Sequence, residues 1–506
     1  MTNKRIINSI YILLFLTFFT LHFYQLSTQH WSGVLDQDLI IIYNSILLNS
    51  GVEQEYRDHP AFTTFLLNSF FYKILLLFSN IPSQIDIIFN SKNINEIFQY
   101  YFYISRTINF FSNVLLIFIF NRILKKLNLK RDIRFLICLI FLLSIGYISS
   151  FFFLRSENLS LLFLCLSINA SLINRRGSII NFFIAGIFFA FAMLAKIQII
   201  FLALYLIYLI PYFNENVRYE INNIYLRKYL SLSFVLGLLF FFIFQLYIQE
   251  FPRFEKAKYL DLIFFSLSFL LIIIYFIYLK NFKKNIILFS SMLNGFVFLI
   301  ALIFLLGQIN FLQVNEFIFL RITNPIHYMT EITGEMANGI VNIDYILKNI
   351  YQIFSKYRFN LIELFIIISL VLYNFKIKNN LLILFFIFII NTLVMNFRYN
   401  DIYHLYYIFI YLLLFVESIK KIENKLSRKL VYTILLVVFV NSLNFFVIKD
   451  NNFLNATFNR ESGMVKVCKE FVYKIPSNTY ENVNYIQYWH KKFDDKNLKK
   501  ICDEII

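Results

Sequence analysis

The sequence predicts an all-α, polytopic membrane protein, and three observations support this class. Of its 506 residues, 59% are hydrophobic and only 15% are charged, whereas soluble domains carry about 25% charged residues. Apolar runs of about 20 residues, enough to span a bilayer as a helix, recur along the chain. Basic residues are concentrated between these runs, as in cytoplasmic loops. The same composition excludes a disordered chain, which would be polar and poor in aromatic residues.

Thirteen apolar runs reach the length of a spanning helix or fall slightly short of it. They are 7–26, 101–121, 135–154, 157–174, 178–195, 197–212, 229–249, 259–279, 286–307, 360–375, 380–397, 402–418 and 430–448. A fourteenth run, 61–79, is interrupted by Asn68 and Lys73. The first run follows Lys4 and Arg5 without a small-residue cleavage site, which favours a retained helix over a signal peptide.

The positive-inside rule decides how 61–79 is counted. If Lys4 and Arg5 are cytoplasmic and 61–79 does not span, every basic cluster between helices lies on the cytoplasmic side. These clusters are 122–134, 175–176, 218–228, 280–284, 376–378 and 420–429. If 61–79 spanned, all six would lie outside. We therefore expect 61–79 to be a juxtamembrane helix at the outer interface. The predicted protein is multi-pass in the plasma (inner) membrane, with a cytoplasmic N-terminus and a periplasmic or external C-terminus.

The formal net charge of +17 follows from this topology. The predicted cytoplasmic segments hold 23 of the 47 Lys and Arg residues but only four of the 30 acids. The excess of positive charge therefore reflects the orientation of the protein in the membrane, and we expect no nucleic-acid partner. No P-loop and no Cys/His cluster with metal-site spacing is present in the sequence, so we expect no cofactor.

The predicted topology divides the chain into a transmembrane domain, 1–448, and a small external C-terminal segment, 449–506. Two long external loops interrupt the domain, 27–100 and 308–359. Cys468 and Cys502 would share an oxidising compartment in the C-terminal segment, which would allow a disulfide. Because no soluble domain is inserted on the cytoplasmic side, the sequence disfavours ATP-driven transport and cytoplasmic nucleotide-sugar chemistry.

Ionisable residues gather at the predicted outer ends of the helices. The first loop carries acids, an Arg and a His, and further charges lie at three outer turns; the candidates are Asp36, Asp38, Arg57, His59, Arg155, Glu157, Lys196 and Arg398. Each alone fits a solvated loop or a snorkelling side chain equally well, but ionisable residues at membrane depth are costly and usually functional. A carboxylate could act as a general base, and the cations could hold a phosphate. Together with an apolar groove for a lipid, this predicts sugar transfer from a lipid-phosphate donor.

Several short motifs resemble the GT-C superfamily of membrane glycosyltransferases, in the branch of protein O-mannosyltransferases and the lipid A aminoarabinose transferase. They cover about residues 1–215: Asp36-Gln37-Asp38, Gly51, His59-Pro60-Ala61, Arg106, Arg155-Ser156-Glu157, and Ala190 to Lys196. Many members of the branch have a second proline where Ala61 stands, and a Thr where Ala195 stands. The resemblance implies an inverting transfer from a polyprenyl-phosphate sugar to a lipid, glycan or protein acceptor, in contact with membrane lipids.

The resemblance also implies roles for the residues. Anchored on Gly51, the catalytic acid falls on Asp36, with Asp38 as a helper or reserve base. Glu157 would be the second acid, and Arg57, His59 and Lys196 would hold the donor phosphate, with Arg155 and Arg398 as weaker candidates. A divalent metal is required in some GT-C branches but not in this one. We therefore infer no metal from Asp36-Gln37-Asp38, and a role for a divalent ion is left open.

Two other functions stay open at this point. A flippase for a lipid-linked glycan is the rival from the transporter class, although the sequence shows no internal repeat and few Gly or Pro interruptions of the kind that transporters use. A polysaccharide polymerase or ligase is the enzymatic rival, because the second long loop, 308–359, carries basic residues.

Overall fold

The architecture was analysed in a computed structural model of the chain. It describes residues 2–31, 38–55, 61–79, 81–172, 179–200, 282–309, 312–313, 468–473 and 495–505, and single positions at 202, 235, 465 and between 405 and 440. Of the residues it describes, 85% are helical and none lies in a strand. The all-α prediction is therefore confirmed for this part of the chain.

Eleven α-helices are formed by the described residues. In chain order they are α1 Thr2–Thr28, α2 Ile40–Asn49, α3 Phe62–Leu76, α4 Ile85–Asn90, α5 Ile94–Lys126, α6 Arg131–Leu142, α7 Ile145–Phe152, α8 Ser156–Ser171, α9 Ile179–Ala195, α10 Phe282–Gln308 and α11 Asp495–Ile505. A 3₁₀ turn, Ile197–Ile199, follows α9, and a π-helical turn, Cys468–Val472, precedes α11.

Three of these helices are long and apolar enough to cross a membrane, namely Asn8–Thr28 within α1, all of α5, and Asn285–Gln308 within α10. The chain therefore has the helices of a membrane protein. The count of thirteen spans stays a prediction, because most residues of the predicted spans after 200, apart from α10, lie outside the described part of the chain. The few described positions in 402–418 are helical, and seven of them are buried against the bundle.

The predicted span 135–154 is not one straight helix. α6 and α7 meet at a bend of 62°. Ser144 begins α7 as its N-cap, because its hydroxyl accepts a hydrogen bond from the Tyr147 amide at 3.3 Å. A serine in this position satisfies an amide that would otherwise bond within a continuous helix. The bend leaves α7 as a half-helix of eight residues that ends beside the short turn before α8.

The predicted juxtamembrane segment 61–79 forms α3. Its 15 residues extend about 22 Å, which is less than the roughly 30 Å of a bilayer's hydrocarbon core. Its polar side chains Thr63, Thr64, Asn68 and Ser69 are buried, whereas Phe70 and Phe71 are exposed. That 61–79 lies at the outer interface without spanning stays a prediction, because α8 and α9, which are predicted to span, are hardly longer at 16 and 17 residues.

The two ends of the bundle carry different parts of the chain. At one end, called here the first-loop end, α2, α4 and the start of α5 share a buried cluster with Cys468, Cys502 and neighbouring residues of α11. The Lys500 ammonium donates to the Ser91 carbonyl at 2.9 Å. Cys468 and Cys502 form a disulfide, which the sequence had left open. At the other end of α5, Lys126 donates to the Asn169 carbonyl at 2.7 Å.

Within the described part of the chain, α9 and α10 cross with their backbones in close contact. A Cβ atom added to Gly186 would lie 1.8 Å from the Met292 carbonyl oxygen, and one added to Gly295 would lie 1.9 Å from the Phe183 carbonyl oxygen. Small residues allow such backbone contact between membrane helices. The crossing fixes the position of α9, whose C-terminal end carries Lys196 to the first-loop end.

Candidate functional site

The structure describes four of the eight candidate residues, Asp38, Arg155, Glu157 and Lys196, and brings them together at the first-loop end. The other four candidates lie outside the described residues; they are Asp36, Arg57, His59 and Arg398. Arg106, which entered only through the resemblance, belongs to the same site.

Asp38 lies just before α2 and forms a buried ion pair with Arg106 of α5. Each side chain is only 1% exposed. One carboxylate oxygen accepts from the Arg106 guanidinium, which also donates to the Gln29 side chain at 3.3 Å. The second carboxylate oxygen accepts from the Leu154 amide at 2.6 Å. Asp38 therefore joins the first loop, α5 and the turn between α7 and α8 at one point.

The electrostatics of Asp38 suit a proton acceptor. Burial raises the pKa of this carboxyl above its ordinary value, and the charge of Arg106, the Leu154 amide and the charge of Arg155 oppose that rise. A carboxylate with a raised pKa is a stronger base than an exposed one, as general-base catalysis requires. The charge of Arg106 favours the ionised form of this carboxyl.

A second buried ion pair joins Glu157 to Lys196, with 3.0 Å between the carboxylate oxygen and the ammonium nitrogen. Glu157 lies in the first turn of α8, where the helix dipole favours a negative charge. Lys196 follows α9 directly and has an extended backbone, with φ −158° and ψ 118°. That break in the helix turns its side chain from the end of α9 towards α8.

The two ion pairs are connected by one short turn. Glu157 is three positions after Leu154, whose amide contacts Asp38. Three residues extend at most about 11 Å. Arg155 lies between them, is half-buried, and begins α8 as its N-cap in an extended conformation. Two carboxylates and three cations therefore lie around the segment from Leu154 to Glu157.

No family model, curated protein or solved structure matches this chain. The function is therefore argued from this site and from the motifs of the sequence. Among the described residues, no three His, Cys, Asp or Glu side chains are grouped as metal ligands.

The sequence interpretation did not identify three asparagines that support the site, Asn109 and Asn113 of α5 and Asn158 of α8. All three are buried and contact the segment from Ser150 to Phe153 or one another. A signal was available in the sequence: Arg106, Asn109 and Asn113 recur at a spacing of three to four residues within an apolar run. That spacing places polar side chains along one face of a helix.

Proposed function

We propose that this protein is an integral membrane glycosyltransferase that moves a sugar from a polyprenyl-phosphate donor to an acceptor at the outer face. The observation that carries the proposal is the convergence of Asp38, Arg106, Arg155, Glu157 and Lys196 around one turn at the first-loop end. Buried charges of both signs are costly to place in a membrane protein, and they usually mark a substrate pathway or a reaction site.

The proposed mechanism is a single displacement with inversion. An aspartate removes the proton from the acceptor's O–H or N–H group as the acceptor attacks the anomeric carbon. The bond between that carbon and the phosphate oxygen breaks, and the electron pair leaves with polyprenyl phosphate. Because the leaving phosphate is already a weak base, it needs charge stabilisation and no general acid. Positioned cations supply that stabilisation best in a site that excludes water.

The residues divide between these tasks. Lys196 and Arg155 are proposed to hold the donor phosphate, together with Arg57, His59 and Arg398 from outside the described residues. Glu157 is proposed to keep Lys196 in place and to lie near the acceptor. The resemblance favours Asp36 as the base, which lies outside the described residues, and Asp38 is the described acid of the same motif, so both are in the proposal. The acceptor class is a lipid, a glycan or a protein.

The outer-face location rests on two further observations. The site lies at the end of the bundle that carries the disulfide between Cys468 and Cys502, and stable disulfides form in oxidising compartments. Lys126 and the basic cluster 122–134 lie at the opposite end of α5, as cytoplasmic residues would. We therefore propose a multi-pass protein of the plasma (inner) membrane with the site facing outward.

Membranes containing Asp36→Asn and Asp38→Asn variants test the proposal. We expect one of the two to lose sugar transfer from a polyprenyl-phosphate donor. The amount of inserted protein is measured alongside, because Asp38→Asn also removes the partner of the buried Arg106. Asp86→Asn is the matched control, because Asp86 is an exposed acid of the same loop in the first turn of α4. Full transfer by both the Asp36 and the Asp38 variant would refute an aspartate base in this loop.

One observation favours a second candidate, a flippase for a lipid-linked glycan. The 62° bend between α6 and α7 makes a discontinuous helix, and transporters often build their substrate sites at such breaks. A flippase would move the intact lipid and leave its phosphate–sugar bond uncut. Most of the loop 308–359, on which a polymerase or ligase depends, lies outside the described residues.

A further inference from the structure

The asparagines of α5 and α8 connect the two ion pairs. Asn109 lies one turn after Arg106 on α5, so both side chains project from the same face of the helix. Its side-chain amide nitrogen lies 3.0 Å from the Ser150 carbonyl oxygen, 3.2 Å from that of Phe151 and 3.1 Å from that of Phe153. These carbonyls belong to the C-terminal end of α7 and the residue that follows it.

The end of α7 leaves buried carbonyl groups that require hydrogen-bond donors from elsewhere. The last carbonyls of any helix lack partners within the helix, and α7 ends inside the bundle, where Ser150, Phe151 and Phe152 are buried. Buried carbonyls without partners cost free energy. The two N–H groups of the Asn109 amide are shared among the carbonyls of Ser150, Phe151 and Phe153. Asn113 also donates to the Ser150 carbonyl, and Gln25 donates to the Phe152 carbonyl, so these three amides together hold the end of α7. The next amide along the chain, that of Leu154, donates to Asp38.

The same asparagine also contacts Asn158, the residue next to Glu157 of the second ion pair. Its side-chain oxygen accepts from the Asn158 side chain at 2.6 Å. Asn158 follows Glu157 in the first turn of α8 and is 1% exposed. One side chain therefore joins three parts of the chain: α5, which carries Arg106; the end of α7, which presents the Leu154 amide; and the start of α8, which carries Glu157.

We propose that Asn109 is a positioning residue, which keeps the turn from Leu154 to Glu157 in the conformation that presents both carboxylates. This inference rests on the proposed function for its catalytic consequence, but not for its structural one. Asn109 contacts the Phe153 carbonyl just before the turn and the Asn158 side chain just after it, and neither of the charged groups. Its loss should therefore disorder the site while the bundle and the ion-pair residues themselves remain.

The test combines hydrogen exchange with transfer kinetics on the purified full-length protein in detergent. In Asn109→Leu we expect amides in 150–156 to exchange about 125-fold faster, because three buried hydrogen bonds of about five-fold each are lost, two to backbone carbonyls and one from Asn158. Exchange in α8 after Ser160 should stay unchanged. With a polyprenyl-phosphate sugar as donor, kcat should fall about 100-fold, the effect of a 1 Å misplacement of reacting groups, while KM for the donor stays constant.

Two further variants keep the test decisive. Ser112→Ala is the matched control, because the Ser112 hydroxyl donates only to the Ile108 carbonyl of its own helix; it should change neither readout. Asn158→Ala removes one hydrogen bond of Asn109 and spares the others, so it should give about a five-fold effect in both readouts. If Asn109→Leu does not fold, Asn158→Ala tests the positioning role of Asn109 in its place.

The outcomes separate this inference from the proposed function. Unchanged exchange in 150–156 in the variant overturns the positioning role, and so does faster exchange with wild-type kcat. If the wild-type protein transfers no sugar but the variant still exchanges faster in 150–156, the proposed function fails and the structural role of Asn109 stands.

Discussion

Removing Arg106 is expected to leave Asp38 as a buried charge without its ion-pair partner. In the native structure both side chains are 1% exposed, and apart from Arg106 the Asp38 carboxylate has the Leu154 amide as its hydrogen-bond donor. Breaking a buried ion pair on one side costs about 3–5 kcal/mol. Because folded proteins are stable by only about 5–15 kcal/mol, Arg106→Met should remove about a fifth of the stability or more.

The double variant decides whether the pair itself causes this loss. Replacing both partners with apolar residues of similar volume is often neutral for stability, so Arg106→Met combined with Asp38→Leu should recover most of the free energy. The assay is equilibrium unfolding in mixed micelles, evaluated as a double-mutant cycle. Arg122→Met on the exposed face of the same helix is the control, with an expected change within about 0.5 kcal/mol.

Two results would refute this reasoning. The first is a cost below about 1 kcal/mol for Arg106→Met, which would mean that water reaches Asp38. The second is strict additivity of the two single variants, which would mean that the two charges do not interact.

Three further predictions concern packing, the disulfide and topology. Gly295→Ala should destabilise the bundle by about 1–3 kcal/mol or more in the same unfolding assay, because its methyl group would overlap the Phe183 carbonyl. Cys468→Ser should lower stability by about 2–4 kcal/mol and expose α11 to limited proteolysis, and reductant should have the same effect on the wild-type protein. Reporter fusions after Lys126 and after Ile506 should report opposite sides of the membrane.

Each of these predictions has a control and a contradicting result. Leu305→Ala changes an exposed residue of α10 and should be tolerated; equal losses for it and Gly295→Ala would argue against the helix crossing. Reductant should not lower the stability of Cys468→Ser further. A wild-type protein whose stability is unchanged by reductant would contradict a stabilising disulfide. Fusions on the same side would contradict the predicted arrangement of spans.

Much of the helical framework follows from composition, because long apolar runs with charged ends have few alternatives to helices. Lys196 is an example: it interrupts an apolar stretch at a predicted outer turn, and the structure ends α9 there. The bend at Ser144 could not be predicted in the same way. Neither a proline nor a charge marks it, and a serine within an apolar run also fits an unbroken helix, since its hydroxyl can bond a carbonyl of the preceding turn.

The pairing of charges was beyond sequence reasoning for a different reason. Asp38 and Arg106 are 68 residues apart, and no local pattern shows which acid of Asp36-Gln37-Asp38 meets which cation. That choice depends on the register of α2 against α5, which the packing of many side chains sets together. The polar stripe from Arg106 to Asn113 is the one part of the site that helical spacing alone could have revealed.

The central claim is tested most directly by incubating the purified protein in lipid vesicles with a polyprenyl-phosphate sugar and no nucleotide sugar. The account predicts that polyprenyl phosphate is released as the sugar passes to an added acceptor, and that Lys196→Met strongly reduces this release. If the lipid crosses the vesicle membrane with its sugar–phosphate bond intact, the protein is a flippase and the proposed glycosyltransferase function is wrong.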